Sequence, residues 1–160
     1  MREIKFMLDK ANELIKRADH MFYVTYPLVK DNKLIITMAE NISRGMICAM
    51  DAILMYEKLY KRISLYPEDF KVKMDMFRDS IARRYDIKRE HIVLIHDLKK
   101  FLDERKSSGT EFVKNDKYVF FSQKQELKNL DLNLLKQNLN MSKEFLRKVN
   151  GILTNVTTRF

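Results

Sequence analysis

Arg84 and His91 are the residues of this sequence best equipped for chemistry. They lie in RYDIKREHIVLIHD (84–97) with six residues between them. Histidine titrates near neutrality, with a reference pKa of ~6.5, so it can take up or release a proton at working pH. Arginine carries a permanent, planar cation that holds an anionic oxygen through two parallel N–H groups. A second polar pair, Glu40 and Arg44, stands in AENISRG (39–45), one helical turn apart and on a shared face.

Other chemistries find little to work with. The chain has three histidines, His20, His91 and His96. His91 and His96 are ~140° apart around a helix, so they do not form the i, i+4 pair that would grip a metal. LIHDLKK (94–100) resembles the His-Asp core of HD-domain phosphohydrolases. That family needs a further His some tens of residues upstream; here His91 is too close and His20 too distant. No metal and no cofactor is therefore expected. The three glycines are scattered, which rules out a glycine-rich phosphate loop, and no G-x-S-x-G is present. Cys48, the single cysteine, sits in the apolar run MICAM (46–50) and reads as a small core residue rather than a nucleophile.

The elements that must position these residues are helical. Ile4, Met7, Ala11, Leu14, Ala18, Met21 and Thr25 form one stripe at 3–4 spacing, and Pro27 predicts that this helix ends or kinks at Tyr26. KDN (30–32) makes a turn. A longer helix follows with Ile35, Ala39, Ile42, Met46, Ala49, Ile53, Tyr56, Tyr60 and Ile63 inward, antiparallel to the first. SLYPEDF (64–70) predicts a third helix with Pro67 at its first position and Phe70, Met74, Phe77 and Ile81 inside. Asp86 can cap a fourth, from about Lys88 to Arg105, that presents His91 inward and His96 to the flank. SSGT (107–110) stops it. Val, Tyr and Phe on both sides of KND (114–116) predict a two-stranded ribbon within 111–122. A last helix starts near Asp131 with Leu134, Leu135, Leu139, Met141, Phe145, Leu146 and Val149 on a broad apolar face, and TNVTTRF (154–160) is expected to fray.

These elements give an all-α fold: a single domain over 1–160, an up-and-down bundle of about five helices carrying a small β-ribbon. The scarcity of Gly and Pro agrees with long helices. At 46% hydrophobic and 33% charged residues the chain is expected to fold rather than to stay disordered. No ~18-residue apolar window and no signal-peptide core is seen, so no membrane contact is expected and the cytoplasm is the default location. The formal net charge of +9 is spread along the chain without a basic tail; it favours an acidic partner such as RNA. Leu8, Ile15, Phe22, Met50 and Leu54 lie beside the main stripes of the first two helices. Such a surplus suggests a second apolar seam and a homodimer.

The Arg84–His91 spacing at the opening of a late helix, the Glu40–Arg44 pair on an earlier one, and the interleaved small and aromatic residues of AENISRGMICAMDAILMYEKLY (39–60) together resemble the HEPN family of small helical domains. The resemblance covers about residues 1–106. Tyr85 departs from the Asn, Asp or His usual after that family's arginine, and Arg83 and Arg89 are rival arginines. The resemblance implies metal-independent cleavage of RNA: His91 would deprotonate a 2′-hydroxyl, Arg84 would stabilise the phosphorane, and Glu40 and Arg44 would support them. The alternative function is a non-catalytic helical interaction module that homodimerises or docks on a protein partner such as a nucleotidyltransferase.

Overall fold

The computed structural model describes residues 1–108, 111–114 and 116–157. Among them the fold is an all-α bundle of five helical rods with a small antiparallel sheet. The first rod is α1 (Arg2–His20), a π-helical turn (Met21–Thr25) and α2 (Tyr26–Val29). Of the end or kink that Pro27 predicts at Tyr26, the end does not occur. The wide turn lets the Tyr26 N–H reach back to the Met21 carbonyl, five residues away, and so absorbs the missing proline donor. The rod ends three residues later, where Lys30 adopts a left-handed conformation.

α3 (Lys33–Leu59) runs back along α1. Gly45 permits the close approach: a Cβ there would lie 2.6 Å from Ile15 Cδ1. α3 stops before Tyr60 and Ile63, which the stripe had included, because Lys61 turns left-handed. The next rod comprises α4 (Phe70–Met76), a π-helical turn (Phe77–Ile81) and α5 (Ala82–Tyr85). Its start is fixed by Asp69, whose carboxylate accepts the Val72 N–H at 3.0 Å, rather than by Pro67. Asp86 ends α5 in the left-handed region instead of capping α6 (Arg89–Lys106).

The ribbon has three strands rather than two: β1 (Glu111–Lys114), β2 (Lys117–Phe121) and β3 (Leu127–Asp131), antiparallel in the order β1-β2-β3. The stop at Gly109 and Thr110 and the turn residue Asn115 lie outside the described residues. Phe120 and Tyr118 face the bundle, with Phe120 edge-on to Phe101 at 5.0 Å between ring centroids. Arg105 clamps this face, donating to the Tyr118 hydroxyl at 2.8 Å beside Glu111 and Glu40. α7 (Leu132–Thr157) is capped by Asp131 and stays helical through Thr157, where fraying had been expected; Ile152 and Leu153 pack on the core and hold its end. Residues 158–160 lie outside the described residues.

α7 packs against both α1 and α3. Of the apolar surplus read as a dimer seam, Ile15, Met50 and Leu54 are buried within the chain, and Leu8 and Phe22 lean on the same core. Among the described residues, no helix is long and apolar enough to cross a membrane.

Candidate functional site

The four residues singled out from the sequence are held by different partners. Arg84 closes α5 and gives its Nη1 to Glu57 Oε2. The Glu57 side chain, from the last turns of α3, is wholly buried. Its other oxygen accepts the Tyr85 hydroxyl and lies 3.5 Å from Arg62 Nη1. Arg62 stacks over Tyr56 and Tyr60 at 5.6 and 5.5 Å. Burial, then the Glu57 hydrogen bond and charge, pushes the Tyr85 hydroxyl up to about 12, so Tyr85 remains a neutral donor. Arg84 thus anchors the α5 end to α3.

His91 lies in the first turn of α6 and is 4% exposed. Its ring meets Phe145 edge-on at 5.8 Å between centroids. Nε2 is buried without a hydrogen bond, and Glu144 Oε2 stands 3.7 Å away, beyond hydrogen-bond reach. Burial lowers the histidine's pKa below its ordinary value despite Glu144, so the imidazole is neutral at pH 7. Lys88 holds the opposite oxygen of Glu144 at 3.2 Å and keeps that carboxyl below the usual carboxylate range. His91, Glu144, Lys88, Asp86, Arg147 and Lys148 line a pocket of about 430 Å³. The expectation of an inward His91 at a groove agrees with this arrangement.

Arg84 does not share that pocket. Nor do Glu40 and Arg44: Glu40 pairs with Arg105 at 3.6 Å, and Arg44 is exposed without an ion pair or hydrogen bond among the described residues. The physical cause of the separation is local. Asp86 inserts a left-handed residue between α5 and α6, so no single helix carries both Arg84 and His91. His96 is on the exposed flank, its Nδ1 3.0 Å from Asp97. Cys48 is buried, and burial pushes its thiol pKa up, away from nucleophilic use. No cluster of three or more metal-ligating side chains occurs among the described residues.

Sequence reasoning missed Glu57 and Glu144, the carboxylates facing Arg84 and His91. A signal for Glu57 existed: it falls four residues after Ile53, on the inward stripe of α3. Also missed were two grooves flanking α6. One, of about 990 Å³, runs between α4–α5 and α6 over a floor of Phe70, Met74, Ile92 and Val93. The other, of about 600 Å³, lies between α6, β3 and α7. No family model matches the chain, and no curated protein or solved structure matches it either.

Proposed function

We propose that this chain is a non-catalytic helical interaction module that receives an amphipathic helix of a protein partner along α6. The observation that carries this reading is the 990 Å³ groove between α4 and α6. Its floor is apolar, and both rims carry charges of both signs: Lys71, Asp75 and Arg78 on one side, Lys100, Asp103 and Glu104 on the other. An apolar helix stripe bordered by mixed charges is the complement of such a surface. The engagement of Arg84 by buried Glu57 supports the non-catalytic half of the reading, since its guanidinium is committed to anchoring α5. Selection of displayed amphipathic helical peptides against the intact chain tests it. Binders should saturate and should be lost on Phe70→Ser and on Val93→Glu, with the fold of each variant checked by circular dichroism. Binding indifferent to both substitutions, or no binders at all, removes the reading.

One feature favours a second reading, a metal-independent ribonuclease. The neutral His91 ring lines a pocket with the cations Lys88, Arg147 and Lys148, of which Lys88 is paired with Glu144, and with Asp86. A neutral imidazole can accept the 2′-hydroxyl proton, and cations beside it can hold the phosphate. In this version Arg147 and Lys148 replace Arg84 as phosphate ligands. Cleavage of single-stranded or structured RNA by the purified protein should then resist EDTA and vanish in His91→Ala but not in His96→Ala. Absence of cleavage leaves the interaction reading alone.

A further inference from the structure

The groove on the other side of α6 has features that the first groove lacks. Its walls are apolar, from Leu98 and Phe101 on α6, Leu130 on β3, and Leu134 and Met141 on α7. Among the described residues β3 is the last strand of the sheet, paired to β2 along one edge only. Asn129 and Leu130 both line the groove. Neighbouring residues of a strand project to opposite faces, so a cavity that touches both runs along the strand's free edge, where alternate N–H and C=O groups point outward. Asn138 lines the same groove; it is 5% exposed, and its side-chain amide makes no hydrogen bond among the described residues. The amide stays open to the groove, with donors and an acceptor left to offer there.

The geometry points to strand addition: an extended segment of another protein pairs with the free edge of β3, places alternate apolar side chains in the groove, and offers its backbone to Asn138. Five-residue β3 presents about 17 Å of edge, enough for a segment of five or six residues. The charge at the rim selects the segment further. Glu90 and Asp97 line the α6 wall beside the single cation Arg89, so a basic residue facing that wall is favoured although the chain as a whole is basic. A second copy is a poorer occupant. The buried apolar residue of its β3, Leu130, is already turned to its own core.

The probe is an acetylated six-residue peptide, one lysine followed by alternating valine and threonine, titrated into the isotope-labelled intact chain. Saturable shifts are expected in the β3 amides and in the Asn138 side-chain amide. Methylation of alternate peptide nitrogens should weaken binding at least tenfold, because it removes the edge hydrogen bonds but keeps the apolar contacts. Leu134→Glu should do the same; Leu134 is 42% exposed, so this variant is expected to keep its fold, checked by circular dichroism. Asn138→Ala should weaken binding less, and replacing the peptide lysine by glutamate should weaken it too. Phe70→Ser, in the first groove, should change nothing here, which separates this assignment from the helix-docking reading. The assignment is overturned by absence of saturable shifts, by equal binding of the methylated peptide (an apolar ligand pocket), or by a dimer in light scattering that Leu134→Glu dissolves (self-pairing of β3).

Discussion

Arg84 reaches from the end of α5 to Glu57 of α3, an exposed cation on a carboxylate that has no contact with solvent. The two members of this pair are not equivalent. Arg84, 41% exposed at its side chain, can return to water; Glu57 cannot. Removing the cation therefore strands a buried charge, with Arg62 and Tyr85 as its remaining partners. Arg84→Ala should cost about 1–3 kcal/mol, seen as a fall of about 3–8 °C in Tm. Glu57→Gln should cost less, and the double variant should be more stable than Arg84→Ala alone, since a neutral amide needs no counter-ion. Additive losses in thermal melts would mean that the pair is not coupled.

His91 predicts a pH dependence. Its folded pKa is depressed, chiefly by burial, while the unfolded chain should titrate near ~6.5. The unfolded state therefore binds the proton more tightly. The stability associated with the neutral ring is complete above ~6.5 and declines as pH falls from there toward the folded pKa. The Tm advantage of the wild type over His91→Gln should shrink between pH 7.5 and 5.5; a constant or growing advantage would contradict the sign. His91→Ala should also lower stability by about 1–3 kcal/mol, because the ring fills space against Phe145.

The long helices were legible because their stripes are continuous: Ile35 through Tyr56 bury on one face with a 3–4 rhythm that only a helix satisfies. β3 was not legible. In LKNLD the two leucines are three apart, which is helical spacing, and its strand character comes from pairing with β2. Pro27 left an end or a kink open because its effect depends on whether a π turn precedes it, and Met21–Thr25 carries no composition that announces one. The spacing of Arg84 and His91 was real, yet spacing along a chain fixes distance and not direction. Asp86, whose left-handed geometry redirects the backbone between them, looks in sequence like an ordinary helix cap.

Arg105 couples the sheet to the bundle through one side chain. Its guanidinium donates to Tyr118, stacks at 5.5 Å over the same ring, and pairs with Glu111 of β1 and Glu40 of α3. Arg105→Ala removes all of these contacts and leaves the Phe101–Phe120 contact in place. Hydrogen exchange at the β1–β2 amides should quicken by about tenfold, equivalent to ~1.4 kcal/mol of local opening, while α1 and α3 amides keep their protection. Unchanged exchange in the sheet would show that Phe120 alone secures it.

Gly45 tests the closeness of α1 and α3. In an isolated helix, Gly→Ala is favourable by up to about 1 kcal/mol. Here the added methyl would lie 2.6 Å from Ile15 Cδ1, 2.9 Å from Ile15 Cγ1 and 3.4 Å from the Ala11 carbonyl oxygen. Ile15 is itself 3% exposed, so it cannot swing away into solvent. Overpacking of this kind costs about 1–3 kcal/mol, which exceeds the gain in propensity. Gly45→Ala should therefore lower Tm by a few degrees. Ile15→Val deletes the closest atom, Cδ1, and retains a branch at Cγ1, so Gly45→Ala/Ile15→Val should recover part of the loss and show a favourable coupling energy in a double-mutant cycle. A Gly45→Ala chain that melts higher than the wild type would mean that α1 can slide outward at little cost, and that the hairpin is more loosely packed than its buried stripe implies.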